Sequence, residues 1–502
     1  MEGYNSTSKL QEWKESIEKG KYKNYIEEHQ KSSFSLCNVD SYKGKHPEMM
    51  ECVTNAIILN THYYFTARKG TVTFFGLQKF LMDLQNTKIT KQEIECTVEL
   101  FKNFGGFDRE PWDFVVNECN GIIPITIEAL PEGITVPPGT PLFRISATKP
   151  EFAPAVGYLE TWLSHVWYLT SVATKSNRIK QQIAKYLKET SNNFEGLPFM
   201  LHGFGCRGNS SMESASAGDA AHLVNFKGTD TIPGVLFLMY YYASENPAFS
   251  VKATEHSVMT TNGPEGEKEV YEKLLTTYTE GILSIVIDAY NQYNVVEALT
   301  TDFLPLIKGR NGKVVIRPDS GDPLVVIPKL LKIVEKNIGN EITINDKGFK
   351  LLPSYIGLLW GDGLNEEKIT EILQLLQDSN WSAENIVFGM GGGLIQKLHR
   401  DTYGCAFKMC GLYCINMITG EHEFRDIYKK PIDGGKTSFK GIPKVIIKDN
   451  EYITVRADDS EYADYEDQLR VVYENGKLYN IQTLEQIREL ANTKINQILY
   501  GP

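Results

Sequence analysis

Apolar and polar residues follow two different rhythms along this chain. Residues 1 to about 33 are rich in Lys, Glu, Ser and Asn with scattered apolar positions, which predicts a mobile or loosely attached helical extension. From about Ser35 strand-like pieces appear, such as "THYYFTA" and "TVTFFGL". The stretch "IPITIEALPEGITVPPGTPLFRISA" follows, and its β-branched residues and Pro/Gly turns predict antiparallel strands. "VGYLETWLSHVWYLTSVATKSNRIKQQIAKYL" is helix-rich and closes this part. After about Asn193 the rhythm changes. Short apolar runs now end in Gly or Asp: "PFMLHGFGCRG", "ILSIVIDAYN", "KVVIRPDSGD", "IGLLWGDG" and "NIVFGMGGG". Amphipathic segments lie between them, and in "NEEKITEILQLLQD" Ile369, Ile372, Leu373 and Leu376 form a helical stripe. Strands that are apolar throughout are buried on both faces, so the sheet is expected to be parallel.

The pattern therefore predicts an α/β chain with three parts. Residues 1–33 are the extension, 194–401 an irregular β/α barrel, and 34–193 plus 402–502 a mixed α+β domain built from the N- and C-terminal segments. In the last segment Asn475-Gly476 in "YENGKLY" predicts a hairpin turn, and Thr483 with Gln486 has the spacing of a capping box.

Composition narrows the function. The chain has 502 residues and a net charge of −11, which argues against a nucleic-acid partner. No apolar run reaches the roughly 18 residues of a membrane span, and the N-terminus lacks a signal-peptide core. Eight cysteines are sparse, and the closest group (Cys405, Cys410, Cys414) lacks CxxC spacing; reduced thiols in a cytoplasmic protein are expected.

In a parallel barrel the chemistry gathers at the strand C-terminal ends. There this sequence places Arg207, Arg317, Asp319, Asp322, Asp362 and the glycines 389, 391, 392 and 393, with Arg400 further on. The glycine run fails the GxGxxG fingerprint, since position 394 is Leu, and it lacks the Lys-Ser/Thr of a P-loop. It reads as a simple phosphate cup, or else as a tight strand-to-helix turn that needs small residues. Asp319 and Asp362, each in a Gly-flanked turn, suit ribose hydroxyls or a hydrated Mg²⁺. Together these features suggest a ribose phosphate as ligand.

"DSYK" at 40–43, "HLVNFKGTDT" at 222–231, "EHS" at 255–257, "IRPDSGDPL" at 316–324, "GDG" at 361–363 and "GGGLIQKL" at 391–398 carry a resemblance to the nicotinamide phosphoribosyltransferase family. It extends from about residue 35 to the end. The resemblance implies a type II phosphoribosyltransferase fold and a homodimer with sites at the subunit interface. It implies transfer of 5-phosphoribosyl from phosphoribosyl pyrophosphate to nicotinamide in NAD salvage, with Mg²⁺ on the pyrophosphate, no protein metal site, and ATP as a facultative activator. By position, Phe204 and Arg317 would sandwich the pyridine, with Tyr42 supplied by the partner subunit and Asp230 accepting from the carboxamide. Ser284 and Pro318 belong to the same binding set. Asp319, Gly361 and Asp362 would hold the ribose, and Gly391, Gly392 and Arg400 the 5′-phosphate. Arg68, Arg207, Lys408 and Lys436 resemble the basic groups around phosphate and pyrophosphate, and His256 the histidine the family phosphorylates. His256, Arg317 and Asp319 are the expected catalytic residues. Cys206, Trp360 and Met390 depart from the family's usual residue types. The rivals are nicotinate phosphoribosyltransferase and a catalytically silent binding or signalling protein on the same scaffold.

Overall fold

The computed structural model of the chain describes residues 34–432 and 437–501, so the expected extension at 1–33 and Lys436 lie outside the described residues. It divides into two compact units, Met1–Trp167 with Arg400–Gln482, and Tyr168–His399 with Thr483–Pro502.

The first unit is built on a seven-stranded antiparallel sheet. Its strands run in the order His422–Asp426, Cys405–Asn416, Ala56–Ala67, Pro141–Ala147, Ile125–Ala129, Arg470–Glu474, Lys477–Leu478. The expected hairpin is present, with Asn475 (φ 46°) and Gly476 (φ 82°) at a turn that needs two left-handed residues. On the covered face Phe65, Phe143 and Phe407 are buried, and Phe65 and Phe143 stack at 5.1 Å.

The second unit holds seven parallel strands, numbered here in chain order: β1 (Leu201–Gly203), β2 (Gly228–Thr229), β3 (Lys252–Ala253), β4 (Leu283–Val286), β5 (Val314–Arg317), β6 (Ile356–Trp360) and β7 (Ile386–Met390). They hydrogen-bond in the order β2-β1-β7-β6-β5-β4-β3, every pair parallel. A parallel bridge from Gly228 to Phe249 ties β2 to the segment entering β3, so the sheet curls into an irregular barrel. β4 is buried throughout and β5 to β7 nearly so, as their apolar runs predicted. Helices alternate with the strands and several start on side-chain caps: Asn291, Asp322 and Asn365 each accept from backbone N–H groups one turn on. Asp322, singled out above as a polar strand-end residue, is thus a helix cap. The predicted stripe Ile369, Ile372, Leu373, Leu376 is the buried face of helix Glu366–Asp378.

Two sequence expectations need correction. Apolar runs revealed five barrel strands; β2 and β3 are only two residues long, too short for any run to mark them. The expected boundaries at 193/194 and 401/402 also shift. Nearly all of helix Val166–Thr190 belongs with the barrel, as do helices Leu484–Ala491 and Thr493–Tyr500. The reason is polar as well as apolar. Asn177 donates to the Ala491 carbonyl (3.0 Å), buried Lys180 donates to Asn225 O and Asn492 Oδ1, and Arg488 reaches the carbonyls of Leu223, Phe226 and Pro247. The Thr483–Gln486 capping box that starts this C-terminal pair is formed as predicted.

Arg488 therefore satisfies three carbonyls whose residues are buried. Arg488→Ala should lower the unfolding free energy by about 3 kcal/mol, because buried acceptors lose their only charged donor. Urea unfolding with an unchanged m-value would show it; a loss below about 0.5 kcal/mol would mean solvent replaces the guanidinium.

Candidate active site

Because the barrel strands are parallel, their C-terminal ends share one end of the barrel, and the predicted residues of this unit sit there. Phe204 follows β1, Asp230 follows β2, Arg317 ends β5, and Gly361 with Asp362 follow β6. Gly391 and Gly392 follow β7 and open the single turn Gly392–Ile395.

These residues converge. The Arg317 guanidinium carbon lies 5.0 Å from the Phe204 ring centroid, and Arg317 Nη2 lies 3.2 Å from Asp319 Oδ1. A Cβ on Gly361 would stand 3.3 Å from Asp319 Oδ1, 3.5 Å from the Phe204 ring and 3.6 Å from Arg317 Nη2, so this glycine lets three side chains meet. Gly389 is stricter: its Cβ would fall 1.9 Å from the Phe204 ring. Gly391 and Gly392 behave differently, since a Cβ there would meet nothing closer than 3.6 Å. Packing within the chain does not require those two glycines, which leaves their bare backbone open to a ligand. The sandwich expected of Phe204 and Arg317 is closed in this structure. A ring between them needs about 7 Å, two contact distances, so the Arg317 side chain must swing aside to admit one.

A cavity of about 1070 Å³ runs along the barrel interior; Phe204, Asp230 and Arg317 line it at the strand C-terminal ends, and Ser284 lines it from within β4. Ser284 Oγ and Arg317 Nε are buried without a hydrogen-bond partner among the described residues, two polar atoms on one predominantly apolar cavity. Asp230 accepts from the Ser250 hydroxyl, and its backbone N–H donates to Gly203 O at 3.0 Å. His202, also on the cavity, is held below its ordinary titration range by burial, with Asp230 opposing. Pro318 is buried, whereas Arg207 and the Asp362 side chain are exposed. The departures have packing roles: fully buried Trp360 donates its indole N–H to Asp362 O (2.8 Å), which fixes the turn, and buried Met390 packs against Gly393. Half-buried Cys206 sits in the turn beside Arg207, and nothing in the structure explains its identity.

His256, in the loop after β3, is half-exposed and holds Asp288 Oδ1 through Nε2 at 3.1 Å. Asp288 was missed as a functional candidate, although the apolar run in "ILSIVIDAYN" stops at it.

The first unit gathers the basic residues. Arg68 follows strand Ala56–Ala67 and donates from Nε to Gly404 O (2.9 Å), leaving Nη1 buried with no partner among the described residues. Burial pushes the Lys408 ammonium below its usual range; Glu160 opposes this, and the positive charges of Arg68, Arg400 and Lys429 add to it. Four cations thus share one neighbourhood on a chain of net charge −11. Lys429 was not singled out in the sequence because no motif surrounds it. Tyr42 lies in the turn Ser41–Lys45, 59% exposed, with its ring edge-on to His46 at 5.1 Å. Among the described residues no three His, Cys, Asp or Glu side chains group to hold a metal ion, and no helix is long and apolar enough to cross a membrane.

Comparison with known proteins agrees with this geometry. The profile of the nicotinate phosphoribosyltransferase (NAPRTase) family matches residues 199–477, and that of the nicotinamide phosphoribosyltransferase N-terminal domain matches 35–127. A nicotinamide phosphoribosyltransferase from Xanthomonas campestris pv. campestris is 36% identical over 471 residues, covering 91% of this chain and 98% of the relative. The chain belongs to this phosphoribosyltransferase family. Another relative, the nicotinamide phosphoribosyltransferase of Acinetobacter baylyi, is 29% identical over 90% of this chain and 95% of its own length. The fold matches the crystal structure of nicotinate-nucleotide pyrophosphorylase from Pyrococcus furiosus with a TM-score of 0.59 at 17% identity, over 92% of this chain and 95% of that one. The irregular barrel and the mixed α+β unit thus share the fold of that pyrophosphorylase structure, as the type II expectation had it.

Gly389→Ala should drive Phe204 off the Arg317 guanidinium while leaving the barrel folded, at about 1–3 kcal/mol of stability for the overpacked contact. A crystal structure of the variant checks this; an unmoved Phe204 ring would show that β7 yields instead.

Proposed function

We propose that this protein transfers the 5-phosphoribosyl group of phosphoribosyl pyrophosphate to the ring nitrogen of nicotinamide, giving nicotinamide mononucleotide and pyrophosphate in NAD salvage. The observation that carries the reading is one cavity lined by Phe204, Arg317, Asp230 and Ser284, whose Oγ has no partner among the described residues: two flat groups for a pyridine ring, an acceptor for an amide NH₂ and a donor for its carbonyl.

In this reading Asp319, Gly361 and Asp362 hold the ribose, with Pro318 shaping their loop. The Gly391–Gly392 backbone and Arg400 hold the 5′-phosphate, and Arg68, Arg207, Lys408, Lys429 and Lys436 neutralise pyrophosphate. Mg²⁺ arrives on the pyrophosphate as part of the substrate. As pyrophosphate departs, the anomeric carbon gains positive charge while the leaving group gains negative charge. Fixing both reactants in line and meeting the leaving charge with cations provides most of the acceleration. Asp319, already paired with Arg317, lies where it can face the electron-poor ribose. The Asp288 carboxylate on His256 Nε2–H leaves Nδ1 with a free lone pair, which suits phosphorylation by ATP as a facultative activation.

The reading includes a homodimer in which Tyr42 serves the partner's site. Helix Ile232–Tyr242, directly after Asp230, supports it: Ile232, Leu236, Met239 and Tyr240 form an exposed apolar stripe. Eight free thiols suit a cytoplasmic home. Nicotinate as substrate is disfavoured, since its carboxylate would meet Asp230 as a desolvated like charge. The deciding assay supplies phosphoribosyl pyrophosphate, Mg²⁺ and either pyridine, and product with nicotinamide is expected. A protein that bound both substrates without turnover would be the silent scaffold instead.

Asp230→Asn should lower kcat/KM for nicotinamide about ten- to a hundredfold, the worth of one hydrogen bond to a charged partner. Nicotinate use should rise relative to nicotinamide, and an unchanged ratio between the two pyridines in a folded variant would remove Asp230 from amide recognition. In mixed dimers, inactive Tyr42→Ala and Asp319→Ala chains should complement, restoring one site per heterodimer. Verified heterodimers without activity would exclude a shared site.

A further inference from the structure

Beneath the two residues that face the pyridine lies a carboxyl group for which the reaction has no use. Asp219, on helix Met212–His222, is fully buried. Its oxygens lie 2.9 and 2.8 Å from Thr229 Oγ1, the last residue of β2. The same hydroxyl is 3.1 Å from Gly203 O, at the end of β1, and accepts the Thr231 N–H at 2.9 Å. Gly203 O in turn accepts the Asp230 N–H at 3.0 Å. The chain closes tightly around the group, since a Cβ on Gly203 would stand 2.2 Å from Asp219 Oδ1 and one on Gly234 2.7 Å from Oδ2.

Burial, together with the proton count at Thr229, sets its charge state. Thr229 has one O–H. Were Asp219 ionised, that proton would go to the carboxylate, Gly203 O would lose the Thr229 bond, and a second negative charge would be buried beside Asp230. With Asp219 as the neutral acid, its O–H donates to Thr229, Thr229 donates to Gly203 O, and the Thr231 N–H completes the Thr229 hydroxyl. The ionisable groups acting with it are Asp230 and the Tyr168 phenol, neither of them a cation. Burial, then Asp230, push its titration well above the carboxylate range, against hydrogen bonds from the Thr229 and Thr231 hydroxyls.

We propose that Asp219 is a protonated positioning residue that locks the ends of β1 and β2 through Thr229, and so sets where Phe204 and Asp230 stand for pyridine recognition. The role rests on the reading that Asp230 accepts from the carboxamide. Asp219 never touches the substrate. Its neutral state avoids a second negative charge next to Asp230.

The test combines kinetics with infrared spectroscopy. Asp219→Asn, an uncharged isostere that still donates to Thr229, should keep the nicotinamide KM within about threefold. Asp219→Leu and Thr229→Val break the relay and should each raise the nicotinamide KM about ten- to a hundredfold, leaving the KM for phosphoribosyl pyrophosphate within about threefold. Thr229→Val, close in shape, covers the case in which the Leu variant does not fold. The wild type should show the C=O band of a buried protonated carboxyl at neutral pH, and Asp219→Asn should remove it. An Asn variant as impaired as Leu, or no such band, would overturn the proposal, as would equal losses for both substrates in Thr229→Val. If the wild type made no mononucleotide, the substrate reading would fail, while the infrared band would still decide the protonation of Asp219.

Discussion

Parallel strands between two and five residues long cannot hold a ring together by edge pairing alone, so the second unit depends on covering both faces of its longer strands, β4 to β7. That requirement makes the strands apolar, fills the gaps between them with amphipathic helices, and recruits Val166–Thr190 and the C-terminal helix pair as outer cover. It also forces polar groups off the strands and onto the loops at their ends. The ligand-facing side chains are thus held by the most rigid part of the unit while standing just outside its apolar interior.

Charge is partitioned in a similar way. The barrel unit sets carboxylates, an aromatic ring and one guanidinium about its cavity, and the sheet unit carries Arg68, Arg400, Lys408 and Lys429 in mutual range. Burial first, and then like-charged neighbours, depress the Lys408 ammonium, and such a cluster is relieved when a polyanion arrives. A chain with a net charge of −11 can therefore bind a strongly anionic substrate, because net charge averages over faces that the ligand never meets.

The features legible in the sequence were those with a period or a backbone demand. β4 to β7, the stripe of Glu366–Asp378, the Asn475-Gly476 turn and the Thr483 cap each follow from local rules. The glycines at the end of β7 pointed to the right place, yet the run mixes different physics. Gly389 yields to Phe204 and Gly393 to the Leu364 carbonyl, whereas Gly391 and Gly392 yield to nothing in the chain. Two-residue strands carry no period, so β2 and β3 were hidden, and the amide-accepting role of Asp230 came only from family resemblance. Asp219, Asp288 and Lys429 were hidden for another reason: each matters through a partner far away in sequence or through none in its own segment, and a linear pattern does not display such pairs.

The contact between Gly389 and Phe204 has a consequence for how this chain can change over generations. With 1.9 Å between a hypothetical Cβ and the ring, substitutions at the two positions are not independent events. A lineage that first shortens the side chain at 204 opens room at 389 and can then accept alanine there, whereas the reverse order passes through a crowded intermediate. The route between two functional sequences is thereby directional, and neutral drift at 389 stays blocked for as long as the aromatic ring remains.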